Sequence, residues 1–382
     1  MYDVVIAGAG PAGSAAAHAL TAEGFETVLL EKEEKPRNKP CAGGVPIDVF
    51  SSIPADLSQA IEEWVEQVVF RYRDGRETLA GLPAHTMAMV RRERFDTLLA
   101  ETSGAEIRSG VEVRDIRPGE GFVDALCTGG TAVRGRYLVV ASGASRTFEE
   151  YFAGSARSAG DSKRVAVVAE VDPGAGRLAE FEKTAIFEFG RIPCGYMWVF
   201  PKQDHLSVGA GLFCRKRVNL AAEVKGMVDR LGISAGNGGK ALRFRGHPVN
   251  LPRRGRAVRL GRLFRVGEAA GLVDPLTGEG IRFAVRSGML AAGAIAADDP
   301  VLYDRMCRRE LLADLLRGRL PSMLFYGFPG LAYTFGVKNP LFLEEFVKFF
   351  QGRGSYRRIT ARLPFYLAAR LVHPKYRGAE HS

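Results

Sequence analysis

The chain is poor in the residues that build metal sites and covalent frameworks. Its five cysteines, Cys41, Cys127, Cys194, Cys214 and Cys307, are scattered, odd in number and without a C-x-x-C pair. That pattern excludes a disulfide scaffold, a structural zinc and an iron–sulfur relay, and it fits a reducing cytoplasm. The six histidines lack metal spacing. There are only two tryptophans, no internal repeat, and no motif for nucleic acid. In the C-terminal quarter the uncharged stretch Leu320–Val337 runs 18 residues but carries Pro321, Gly327, Pro329, Gly330 and Gly336. A spanning helix needs about 20 clean apolar residues, so this stretch reads as a pocket wall or an interfacial segment. The glycine-rich motif described next begins within ten residues of Met1, which leaves no room for a signal peptide.

What is present begins at once. Tyr2–Ala7 is an apolar run of strand length, followed by Gly8-Ala9-Gly10-Pro11-Ala12-Gly13, an alanine-rich helix to about Glu23, and a second strand from Glu26 to Leu30 that ends in Glu31. Strand, G-x-G-x-x-G, helix, strand and an acid about 20 residues on form the dinucleotide fingerprint in its full context. Gly8 permits the tight turn, Gly10 lets backbone approach a pyrophosphate, and Gly13 lets helix and strand pack. The helix N-terminus offers free N–H groups to phosphates, and Glu31 can accept ribose hydroxyls.

Further along, Lys39-Pro40-Cys41-Ala42-Gly43-Gly44-Val45-Pro46 breaks regular structure and reads as backbone pressed against a ligand, or as a plain turn with a buried thiol. Val68–Arg73 with Asp74-Gly75 predicts a hairpin. Ala105–Ile116, Phe122–Thr128 and Thr131–Val140 predict strands, the last buried on both faces and running into Ala141-Ser142-Gly143. Val165–Val171, Ala185–Phe189, Tyr196–Phe200 and Leu206–Phe213 alternate as an antiparallel sheet. Arg259–Val266 predicts one more buried strand, leading to Gly267-Glu268 and to Asp274-Pro275-Leu276-Thr277-Gly278-Glu279-Gly280-Ile281, which opens an amphipathic helix to about Ala297. Beyond Pro300 the pattern is helical, with breaks at Pro321, Pro329, Pro340, Pro364 and Pro374. Net charge is +10, and residues 301–382 hold fourteen Lys and Arg against six Asp and Glu. A basic, greasy segment points to a membrane surface or an anionic lipid, or to a solvated basic helical region.

Three separated motifs, Gly8–Glu31, Tyr137–Ser145 and Gly267–Ile281, together resemble the FAD-binding set of the flavoprotein hydroxylase superfamily, in which Arg92, ahead of a Phe-Asp pair, also contacts flavin. Two more resemble the geranylgeranyl reductase family: the cysteine–glycine stretch Lys39–Gly44, and Tyr196-x-Trp198-x-Phe200-Pro201 followed by Gly209-x-Gly211. The resemblance covers about Met1–Ala297. It implies an α/β (α+β) fold: a Rossmann-like FAD-binding domain (1–66, 86–160 and 255–299), an antiparallel-sheet substrate domain (67–85 and 161–254) and a helical C-terminal region (300–382). It implies FAD held by Gly8, Gly10, Pro11, Ala12, Gly13, Glu31 and Lys32, by Cys41, Ala42, Gly43 and Gly44, and by Arg92 and Val113. Ala141, Gly143, Gly267, Glu268, Pro275, Gly278, Gly280 and Ile281 complete that set. No metal is implied. The chain departs from the family twice: Glu268 stands where an aspartate is usual, and Ala42 interrupts the usual Cys-Gly-Gly.

The implied activity is reduction of isolated C=C bonds in a geranylgeranyl or other prenyl chain. Such an alkene has no carbonyl handle, so a hydride must reach one carbon while a proton reaches the other, and positive charge builds at the tertiary carbon. A dry channel and aromatic faces answer that need. Tyr196, Trp198 and Phe200 share one face of a strand and, with Pro201, Gly209 and Gly211, are the expected substrate contacts. Cys41, Tyr196 and Trp198 are the expected catalytic residues. An aromatic stripe that is merely core stands as the plainer reading of the three rings. Arg37 and Lys39 either meet a phosphate headgroup or are simply solvated. A second nucleotide site is not visible, so the electron donor is external, either ferredoxin or NAD(P)H-linked. The expected partners are a prenylated lipid or prenyl diphosphate and the inner membrane surface, with no nucleic acid. A flavin monooxygenase or halogenase on the same scaffold, and a non-catalytic lipid-binding flavoprotein, stand as the alternatives.

Overall fold

A parallel sheet grows outward from the first strand. The computed structural model describes residues 1–153, 164–233 and 241–362. Tyr2–Ala7 (β1) lies between Thr27–Leu30 (β2) and Ala132–Val140, parallel to both, with Val4 opposite Thr27 on one side and Tyr137 on the other. Leu263–Arg265 extends the sheet beyond Ala132–Val140, and Glu106–Arg108 extends it beyond β2. The central strands are buried on both faces, which is why their sequences are continuous apolar runs. One face packs on the helix Pro11–Ala22 (α1), which lies against the Ile281–Ala296 helix. Two glycines allow that approach. A Cβ on Gly13 would sit 2.0 Å from the Gly8 carbonyl oxygen, and one on Gly288 would sit 2.2 Å from that of Ala12.

A second sheet runs in the order Arg245–Pro248, Val165–Val171, Leu206–Leu212, Gly195–Pro201, Thr184–Phe189, Gln67–Tyr72, Glu77–Gly81. Its neighbours are antiparallel with one exception, since Thr184–Phe189 pairs in parallel with Gln67–Tyr72. The two-residue period divides its side chains cleanly. Met197, Val199, Val208 and Ala210 face the Leu220–Arg230 helix, whereas Tyr196, Trp198 and Phe200 share the opposite face with Phe187 and cluster with Tyr326 and Tyr333. A small third sheet joins Gly44–Pro46, Met87–Val90 and Ile61–Val65.

Three expectations need correction. Ala105–Ile116 is two strands, Glu106–Arg108 and Val113–Pro118, because the chain turns at Gly110 (φ +70°) and the second half pairs with Val123–Cys127 instead of β2. Arg259–Val266 is a tight hairpin of Arg259–Leu260 and Leu263–Arg265, reversed at Gly261 (φ +55°). Pro321 does not break its helix, Ala313–Gly327, but sits inside it. Pro329 and Pro340 do open new helices, at Pro329–Leu331 and Pro340–Phe350. Pro364 and Pro374 lie outside the described residues. No helix among the described residues is long and apolar enough to cross a membrane.

Because Gly288 meets backbone rather than a side chain, the substitution Gly288→Ala forces two helices apart. We expect it to lower the unfolding free energy by about 2 kcal/mol, in the range of core overpacking, read from denaturant melts. An unchanged melt would place the two helix axes farther apart than described.

Candidate active site

One cavity of about 650 Å³ runs from the glycine-rich turn after β1 to the aromatic face of the second sheet. Its glycine-rich end is built from backbone. Gly8 has φ +111°, and any Cβ there would fall 2.4 Å from the Ala141 carbonyl oxygen. Gly10 caps α1 without a side-chain hydrogen bond, and the first turn carries no acid. Free N–H groups and the positive end of the dipole therefore open into the cavity. The Ile281–Ala296 helix points there too, with Gly280 at its N-cap and no acid in its first turn. Glu31 is buried at the end of β2, and its Oε2 accepts from the Ala9 amide at 2.9 Å. Lys32 and Val113 line the same end.

The middle of the cavity is electrostatic. Arg37 reaches Glu31 (3.4 Å) and Asp96 (2.7 Å), and Asp96 also takes a two-pronged bond from Arg92. Burial opposes both charges of that pair, yet each outweighs the penalty on the other, so the Asp96 pKa falls and that of Arg92 rises. Arg92 also touches Cys41. Lys39 pairs with Glu268 at 3.4 Å. Arg37 and Lys39 are thus largely buried ion-pair partners, which corrects the reading of them as solvated. Glu268 further meets His247 Nε2 at 3.0 Å and the Asn250 amide at 3.3 Å. Burial raises its pKa, but Lys39 and then His247 outweigh burial and hold it at about 2. The longer acid is accommodated by reaching to these three partners.

The cysteine loop is anchored from the second sheet. Lys202, one residue past the aromatic motif, donates to the carbonyl oxygens of Ala42 (2.8 Å) and Val90 (3.0 Å). Burial pushes its pKa down to about 8. The loop's positive φ falls on Gly43 (+78°), where a Cβ would be 2.2 Å from the Val90 oxygen. Ala42 lies outside that left-handed region and tolerates its methyl group. The Gly43 amide donates to Cys41 Sγ at 3.4 Å, and the thiol lines the cavity beside Gly44.

At the far end Tyr196, Trp198 and Phe200 all reach the cavity, with Trp198 6.0 Å from Tyr196 and 6.4 Å from Phe200 between ring centres. The Trp198 Nε1–H is buried without a partner among the described residues. Gly211 lines the cavity and Gly209 supports it: a Cβ on Gly209 would lie 2.2 Å from the Trp198 ring. Gly10, Pro11, Ala12, Ala141, Gly143, Gly278, Gly280 and Ile281 line it as well. Gly13, Gly267, Pro275, Pro201 and Gly209 do not; Gly13 and Gly267 sit behind the wall in close packing. Sequence reasoning missed Lys202, His247 and Glu279. Position beside a motif could have found Lys202 and Glu279, whereas His247 sits in a short strand with no motif. No group of three or more acidic, His or Cys side chains forms a metal site among the described residues.

The lycopene cyclase protein family matches residues 3–169. The chain is 34% identical to the geranylgeranyl diphosphate reductase, chloroplastic, of Oryza sativa subsp. japonica, over 77% of this chain and 66% of that one. It is 30% identical to the digeranylgeranylglycerophospholipid reductase of Methanococcus vannielii, over 77% of each chain. The chain belongs to the geranylgeranyl reductase family. Among solved structures, a geranylgeranyl bacteriochlorophyll reductase-like protein of Thermoplasma acidophilum superposes with a TM-score of 0.72 at 22% identity, covering 85% of this chain and 87% of that one, so the fold is shared as well. Members of this reductase family are oxidoreductases, and the cavity is where a redox centre and a chain-like substrate can meet.

Glu279 makes this site pH-sensitive. Its Oε1 accepts from the Arg282 amide at 2.7 Å, while Oε2 is buried and lacks a hydrogen-bond partner among the described residues. Burial pushes its pKa up to about 7 against the nearby Arg282 charge. A raised carboxyl contributes stability that is complete below its unfolded value and lost as pH rises through about 7. Glu279→Gln keeps the Oε1 acceptor and removes the titration. Relative to wild type, the variant should gain roughly 3 kcal/mol between about pH 4 and pH 8, read from melts across pH. Parallel profiles would mean that Glu279 ionises freely.

Proposed function

We propose that the protein is an FAD-dependent reductase that hydrogenates isolated C=C bonds in a geranylgeranyl or related isoprenoid chain, carried by a membrane lipid, a prenyl diphosphate, or a prenylated pigment or quinone. The observation that carries this is the continuity of one cavity between a dinucleotide cradle and an apolar aromatic face. The cradle fits the cofactor in its chemistry: two glycine-capped helix N-termini for a pyrophosphate, the Glu31 carboxylate for a ribose, and backbone at Gly43 and Gly44 that can lie flat against a ring system. FAD, when bound and reduced, supplies the hydride. The chain's own residues do the rest. Met87, Phe187, Tyr196, Trp198, Phe200 and Phe213 exclude water and hold the alkene. The faces of Tyr196 and Trp198 stabilise positive charge developing at the substituted carbon. Cys41, held by the Gly43 amide and by Arg92, would pass the proton to one alkene carbon as the hydride reaches the other.

The family names differ in the headgroup their members act on, and we leave the substrate at the level of a prenyl chain with an anionic or lipidic head. One dinucleotide fingerprint points to an external electron donor, ferredoxin or NAD(P)H-linked. The scattered thiols, all free, suit the cytoplasm. The test is anaerobic. Flavin-loaded protein is reduced with dithionite, offered geranylgeranyl diphosphate or a geranylgeranylated phospholipid, and its products are weighed by mass spectrometry. We expect two hydrogens gained per double bond, and Cys41→Ala to lose at least about a hundredfold in turnover, the lower end of the scale of one positioned proton-transfer group, while retaining its flavin. Unaltered prenyl chains with rapid reoxidation in air would turn the assignment to oxygen chemistry.

A further inference from the structure

Saturating a prenyl chain takes one proton for every hydride, and a geranylgeranyl chain carries several double bonds. Cys41 holds a single proton, so the site has to be refilled between additions, a need that rests on the proposed function. The cavity wall carries a group that the chemistry above leaves unused. Glu279 lines the cavity just ahead of the Ile281–Ala296 helix. On the cavity side, Cys41 packs in the same apolar cluster as Ile281, two residues on from Glu279.

Behind the wall, three buried polar atoms lack hydrogen-bond partners among the described residues: Glu279 Oε2, Arg282 Nε and Asp48 Oδ1. The first two face each other across 3.8 Å, an ion-pair distance too long for a hydrogen bond. Asp48 comes from a different segment, the Ile47–Ser52 helix, and backbone fixes its place. Arg282 Nη1 donates to the Phe349 carbonyl oxygen at 2.7 Å, and the Gly352 amide donates to the same oxygen at 3.2 Å. A Cβ on Gly352 would lie 2.3 Å from Asp48 Oδ2. Asp48 and Arg282 therefore flank one turn of backbone. Asp48 is partly exposed, so this row of groups begins at solvent and ends at the cavity. A gap between buried charged groups that is too wide for a direct hydrogen bond suits a bridging water.

The groups facing Glu279 come from each element around it. Burial favours its neutral form, Arg282 on its own helix opposes burial, and Asp274 and Asp48 reinforce it. The Tyr196 hydroxyl approaches from the sheet, donating to the Thr277 carbonyl oxygen two residues away. The balance leaves the carboxyl group its proton up to about pH 7.

We infer that Glu279 is the proton reservoir of this site, handing its proton to the Cys41 thiolate left after each addition and recovering one from solvent by way of Asp48. The O–H bond of Glu279 breaks as the S–H bond of Cys41 re-forms, and water then reprotonates the carboxylate. No electrons move, and no further reactant is needed. Arg282 keeps its own proton and orients the carboxylate.

The experiment pairs turnover with infrared spectroscopy on flavin-loaded protein. With detergent-dispersed geranylgeranyl diphosphate and dithionite, Glu279→Gln should reduce the first double bond close to the wild-type rate. Later ones should be at least about a hundredfold slower, the lower end for a positioned proton-transfer group. The variant should also lose the fall in steady-state rate that wild type shows as pH rises through about 7. The infrared difference between about pH 6 and about pH 8 should contain a carboxylic-acid carbonyl band that Glu279→Gln removes. On dilution into heavy water that band should shift at once in wild type and more slowly, by a similar factor, in Asp48→Asn, a variant that leaves the cavity wall unaltered. A band that survives in Glu279→Gln, exchange unchanged in Asp48→Asn, or a Glu279→Gln protein that saturates every double bond at the wild-type rate would each overturn the inference. Both infrared effects without any saturated product would sink the reductase alone, and product without either effect would sink only the reservoir.

Discussion

Asp274 ties together parts of the chain that would otherwise have no reason to meet. Its carboxylate is 1% exposed. One oxygen accepts from the Leu276 and Thr277 amides at 2.8 Å, and both accept from the Tyr356 hydroxyl at 2.7 and 2.9 Å. The two carbonyls of the same turn are taken from other directions, by Tyr326 on Leu276 and by Tyr196 on Thr277. A carboxylate buried without such partners would cost several kcal/mol. The turn, the aromatic strand and two C-terminal helices therefore assemble as one unit. The glycine-capped start of the Ile281–Ala296 helix takes its position in the cavity from that unit, reinforced where Arg282 donates to the Phe349 carbonyl oxygen at 2.7 Å.

The same logic recurs on the other wall. The cysteine loop is tied to the neighbouring strand: Lys202 bridges the loop's Ala42 carbonyl oxygen and that of Val90, the Val90 amide donates to the Gly43 carbonyl oxygen, and Gly43 permits the close approach. Glu268 is fixed by Lys39, His247 and the Asn250 amide. Buried charges are tolerated because each meets a partner of opposite sign or several dipoles. The result is a densely hydrogen-bonded polar middle between a backbone cradle and an aromatic end.

Much of this was legible along the chain because it is encoded locally. β1, α1 and β2 follow from hydrophobic period, glycine spacing and strand length, and the alternation in Tyr196–Phe200 places three rings on one face whatever surrounds them. Where the reading failed, the local signal was ambiguous. Ala105–Ile116 alternates enough for one strand, but its halves pair with different strands of the same sheet. Pro321 is a helix breaker by propensity, yet it is tolerated within a helix that tertiary packing holds on its inner side.

The sequence by itself determined the glycine-rich strand–turn–helix, the aromatic stripe and the identity of the residues in the glycine turns, since each depends on neighbours within a few positions. Only the tertiary structure decided which charges neutralise one another, that the Lys202 ammonium supports the cysteine loop, and that Glu279 is desolvated. These depend on distance between segments remote in sequence and on exclusion of water. Both are properties of packing, and neither leaves a periodic trace along the chain.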